Sequence, residues 1–143
     1  MAATESQGRV VITRIAADAL TKGVPCFYSA TAGKVTATTV GGSTGITSFM
    51  AGIPLDNYTA GQEAEICIFG VCPVKIATGA SINVGTPIQV TDASTSGAVS
   101  VCLTGNLAIG VAIDPGLATG TAATDGDLRE CFVMPGMYYA TPS

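Results

Sequence analysis

Apolar residues gather in short runs of four to eight along the chain. The runs are rich in Val, Ile, Thr and aromatic residues, and Gly, Ser, Asn or Pro closes each one. No apolar series at i, i+3, i+4 and i+7 reaches helix length. The pattern predicts an all-β chain, a small barrel or sandwich of short strands. The segment RVVITRI, from Arg9 to Ile15, reads as the first strand. AADALTKG, from Ala16 to Gly23, has the composition of a single helical turn. Gly52 and Gly110 fall inside apolar runs, where glycine marks a bulge, a bend or a close backbone approach.

The pattern occurs twice, over about residues 23–70 and 85–136. Gly23-Val24-Pro25 and Gly85-Thr86-Pro87 each precede a short strand, followed by a small polar turn and a second strand at Val35 or Val99. Phe49 to Asp56 (FMAGIPLD) then aligns with Leu107 to Asp114 (LAIGVAID), sharing apolar-x-Gly-apolar-x-apolar-Asp. A Gly/Ala/Thr loop follows in each copy. Glu65-Ile66-Cys67-Ile68-Phe69 closes the first copy, and Glu130-Cys131-Phe132-Val133-Met134 closes the second. Such a match indicates an internal duplication or a structural pseudo-repeat. Residues 1–9 lie outside both copies and read as a flexible N-terminal arm. Residues 10–136 read as one β-rich domain built of two hairpin-rich halves, and 137–143 as a C-terminal tail.

Only 11% of the 143 residues are charged, against roughly 25% in soluble domains, and small residues dominate. The net charge is −4, with no basic stripe and 6% aromatics, which argues against nucleic-acid binding. The start MAATESQGRVV lacks the charged and apolar regions of a signal peptide. Two uncharged runs, Val35 to Leu55 and Ala93 to Ile113, are long enough for a bilayer, but their Thr, Ser and Gly content predicts strand-loop-strand and no membrane partner.

The chemistry of the chain is sparse. Gly41-Gly42-Ser43-Thr44-Gly45 matches the G-x-S-x-G nucleophile turn. A serine nucleophile needs a positioned base, and the chain has no histidine. The stretch reads as the loop between two strands of the first copy, and no catalytic residue is expected. Cys26, Cys67, Cys72, Cys102 and Cys131 form an odd set without C-x-x-C spacing, which predicts free thiols, most of them core residues. No metal site is expected, since histidine is missing as a co-ligand. Asp125-Gly126-Asp127 with Glu130 lacks calcium-loop spacing and reads as a solvated turn. Asp56 and Asp114 read as turn-capping carboxylates, and Lys34 as a solvated turn lysine. No phosphate-binding or dinucleotide motif occurs, so no cofactor is expected.

Taken in order, these segments resemble the capsid decoration, or cement, proteins of tailed phages. The match runs through an N-terminal arm, LTKGVP, MAGIPLDNYTAGQEAEICIFGV, ASINVGTPIQV, a turn, GNLAIGVAID and a closing strand, over about Arg9 to Gly136. The resemblance implies a virion structural protein, not an enzyme. It would bind the major capsid protein on the outer surface of the expanded head, assemble with itself, as a trimer in many such proteins, and stabilise the shell by bridging subunits. An arm of this kind assigns Thr4, Glu5, Ser6, Gln7 and Arg9 to capsid contact. The first loop, ATTVGGSTGITS, is longer than the usual first hairpin of the family. Two other classes stand beside this one: another virion part such as a tail-tube or fibre-tip domain, and a hydrolase or glycan-binding module.

Overall fold

In a computed structural model, the described residues are 8–37, 50–76, 82–90, 99–102, 107–113 and 128–138. Among them are nine strands and no helix: β1 (Val10–Ala16), β2 (Cys26–Tyr28), β3 (Lys34–Thr36), β4 (Met50–Pro54), β5 (Glu63–Lys75), β6 (Pro87–Val90), β7 (Val99–Val101), β8 (Leu107–Ala112) and β9 (Leu128–Tyr138).

The strands pair in the order β1-β3-β2-β4-β5-β9-β8-β6-β7, and β1 also pairs with β5. That extra pairing closes the first five into a small barrel. Within this barrel every pairing is antiparallel except β1 with β3, which run parallel at Ile15–Lys34 and Ala16–Val35. Closing the sheet leaves few exposed strand edges, and the ring is small enough for side chains to fill it.

β5 has thirteen residues and belongs to both halves. Its first part pairs with β1 and β4, and Gly70 to Lys75 pairs with β9. The second half then repeats the pairing logic of the first. β6 pairs with β7 and β8, and β8 pairs with β9, as β2 pairs with β3 and β4, and β4 with β5. Ile76 makes a parallel bridge to Val99, as Ala16 does to Val35. The C-terminal part of β5 therefore takes the role of β1.

The correspondence extends to single hydrogen bonds. Gly23 N donates to Pro54 O at 3.1 Å, and Gly85 N to Ala112 O at 2.7 Å. Leu55 N reaches Glu65 O at 3.1 Å, and Ile113 N reaches Glu130 O at 3.2 Å. Turns at Thr21–Val24 and Asn83–Thr86 both close at 3.1 Å, with Gly23 at φ 79° and Gly85 at φ 84° in the third position. A type II turn requires positive φ there, which glycine supplies without steric cost.

Among the described residues, two clusters form the interior. One, with Ala16, Leu20, Cys26, Val35, Ala51, Ala64 and Ile66, fills the first barrel. The larger one joins Val74, Ile76, Ile88, Val99, Ile109, Cys131 and Val133 of the second half to Phe27, Met50, Ile53 and Cys67 of the first. On β4, Ala51 faces the first cluster while Met50 and Ile53 face the second, so the strand is buried on both sides.

Three sequence expectations change. Ala16 to Gly23 holds no helical turn. Instead Leu20 and Tyr58 form a two-way bridge, with N···O distances of 2.9 and 3.0 Å, and the Leu20 side chain is buried. Lys34 lies in β3 and is half-buried, not a solvated turn lysine, because its backbone pairs with Ile15. β9 continues to Tyr138, past the expected domain end at 136, because Met137 and Tyr138 pair with Ala108 and Leu107.

Candidate functional site

Among the described residues, the outer surface of the first barrel carries an open depression, and the junction of the halves carries exposed aromatic and apolar side chains. At the junction the backbone of Gly8 and Arg9 lies directly on Gly70. A Cβ on Gly70 would stand 2.7 Å from Arg9 Cα and 2.8 Å from Gly8 O, and its φ of 106° independently favours glycine. Arg9 Nε donates to Val71 O at 2.9 Å, which pins the root of the N-terminal segment to β5.

Beside this root, Val10 pairs with Phe69, and both are exposed. The Phe69 ring meets Phe132 edge-to-face, with centroids 5.1 Å apart and planes at 80°. That is the preferred arrangement of two aromatic quadrupoles.

An open depression of about 420 Å³ lies on the first barrel, lined by Thr13, Arg14, Ile15, Tyr28, Gly33 and Glu63. Tyr28 is 54% exposed at its rim. Arg14 donates through Nη1 to Thr13 O at 2.9 Å.

All five cysteines are free and buried. Burial pushes the Cys26 thiol up to about 12, and its Sγ donates to Gly52 O at 3.4 Å. The thiols of Cys67 and Cys72 share a hydrogen bond. It lowers Cys67 to about 7, aided by the nearby Arg9 charge, and raises Cys72, whose burial adds to the shift. Burial also raises Cys102. These are core thiols, as the apolar surroundings of Cys67, Cys102 and Cys131 in the sequence indicated.

Of the residues assigned to capsid contact, Thr4, Glu5, Ser6 and Gln7 lie outside the described residues. Arg9 is half-buried and bonded within the chain. Ser43, Asp114, Asp125 and Asp127 also lie outside. Asp56 Oδ1 accepts from Asn57 N at 2.7 Å, which is local turn capping. Glu130 is exposed on β9, opposite Pro73. Among the described residues no group of three His, Cys, Asp or Glu side chains is placed to hold a metal ion, and no helix is long and apolar enough to cross a membrane. Sequence reading missed the Tyr28 depression, whose lining comes from β1, β2, the turn before β3, and β5. Only the tertiary pairing assembles it.

No protein-family model matches the chain, and no curated protein matches its sequence. Among solved structures, the fold is similar to the N base of head fibre gp8.5 in bacteriophage phi29. The TM-score is 0.54 at 16% identity, over 87% of this chain and 93% of that one. At that identity the likeness is one of fold.

Proposed function

We propose that this chain is a structural protein of a tailed-phage virion that decorates the outer surface of the expanded head and bridges subunits of the major capsid protein. The observation that carries the reading is the fold likeness to a head-fibre base, which spans nearly all of both chains. The ordered segments that resemble decoration proteins point the same way. In this reading the chain works by surface contact and catalyses nothing. Its contacts are the N-terminal residues Thr4, Glu5, Ser6 and Gln7, with Arg9 anchoring their root to β5. Self-assembly into a trimer would let weak single contacts act together, since linked sites gain avidity without new chemistry.

The second reading is a fibre-base domain, favoured by the identity of the similar structure. Mixing the purified chain with expanded empty heads and imaging by cryo-microscopy separates the two. Decoration predicts regular density at repeated sites over the shell. Density only where a fibre attaches, or no binding, overturns it.

A further inference from the structure

The two halves differ at one edge. In register, Val11 and Thr13 of β1 correspond to Val71 and Pro73 of β5. Thr13 pairs with Glu65 and Pro73 with Glu130, while Val11 pairs with Cys67 and Val71 with Phe132. In the second half this edge is blunted three times. Pro73 has no N–H, Val71 O accepts from Arg9, and Lys75 N donates to Gly23 O at 2.8 Å.

Among the described residues, the first-half edge is open. Ala16 N donates to Gln62 O, on the β5 side, so strand alternation turns the N–H groups of Val11, Thr13 and Ile15 the other way. Ile15 N reaches Gly33 O at 3.5 Å, and beyond it β3 has no residue left to pair. Val11 and Thr13 are exposed, and no described residue accepts from their amides. Among the described residues, Thr13 O accepts only from the neighbouring Arg14 side chain. The depression that Tyr28 rims lies along this edge.

An open strand edge is a template for another strand, and proteins blunt edges that are not used. Among the described residues, one copy of this edge is blunted and its counterpart is open. We propose that the β1 edge from Val11 to Thr13 is a strand-acceptor site for an extended segment of a head-shell subunit, an inference that rests on the decoration reading. Backbone amides would supply affinity, and a side chain of the incoming segment would enter the depression beside Ile15 and Tyr28. A shell subunit is the favoured occupant, because the similar solved structure is the base of a head fibre and the residues assigned to shell contact lead directly into β1.

The test uses the full chain and expanded empty heads. Thr13→Pro copies the residue that the second half already carries, and Thr13→Ala keeps the amide. Wild type and T13A should co-sediment alike, while T13P should bind about tenfold more weakly, the equivalent of one or two lost hydrogen bonds. Amide exchange by mass spectrometry should slow about tenfold across Val11–Thr13 in head-bound wild type. Undiminished T13P binding, or unprotected amides, overturns the edge site and leaves head binding intact. Failure of wild type to co-sediment overturns the decoration reading and, with it, the shell as occupant. If T13P does not fold, exchange in wild type decides alone.

Discussion

Gly52 and Gly110 hold the same place in the two halves. Gly52 pairs with Cys26 and lies against Cys67 O, and Gly110 pairs with Ile88 and lies against Phe132 O. A Cβ at Gly52 would come within 2.5 Å of that carbonyl and also meet the Ile66 side chain. A Cβ at Gly110 would overlap Phe132 O. Backbone cannot yield as a flexible side chain does. Gly52→Ala should therefore cost about 1–3 kcal/mol, and Gly110→Ala at least as much. Denaturant unfolding measures both, and wild-type stability in either variant would contradict the close approach.

Arg9 and the residues before it should separate in function. Arg9→Ala removes a charge-assisted bond to Val71 O and should lower stability of the free chain by about 1–2 kcal/mol. Deleting residues 1–7 should leave the melting temperature near wild type but weaken head co-sedimentation, since each lost tether lowers avidity. A deletion that melts the domain, or one that binds heads fully, would contradict this division.

Stability should fall in alkali. Cys26, Cys72 and Cys102 have thiols raised above the ordinary value of 9.0, so the native state holds protons that the unfolded chain releases. Their contribution is complete below pH 9 and is lost above it, for Cys26 as pH rises toward about 12. Cys67, lowered to about 7, acts oppositely and adds stability as pH rises from about 7 to 9. Melting temperatures across pH 7–12 check the signs, and Cys26→Ala should flatten the alkaline slope.

All five thiols should be free yet unreactive in the native chain, because each is buried. A thiol reagent should find five groups in denaturant without reductant, and almost none before unfolding. Rapid native labelling would place a cysteine outside the core.

The repeat was legible because its signals are local. Gly-x-Pro before a strand and a glycine inside FMAGIPLD or LAIGVAID state backbone needs that hold wherever the segment lies. The start of the repeat was not legible. Sequence comparison begins it at Gly23 and Gly85, whereas the pairing carries it back to β1. The counterpart of β1 is no separate segment but the far half of β5. In sequence the first copy ends at Gly70, yet β5 runs on through Pro73, whose missing amide would point away from β9, toward Gly23. Arg9 read as a free contact residue because its bond to Val71 spans 62 positions, beyond any local pattern.

A strand common to both halves also has a mechanical meaning. Thirteen extended residues span roughly 40 Å, so β5 forms an unbroken covalent tie from one end of the domain toward the other. A load entering through β1 and leaving through β9 passes along that tie and is resisted by ladders of hydrogen bonds sheared side by side. Freeing β5 along its whole length would open both halves at once. If the chain sits on a shell as proposed, the domain would behave as one stiff rivet and not as two beads on a string.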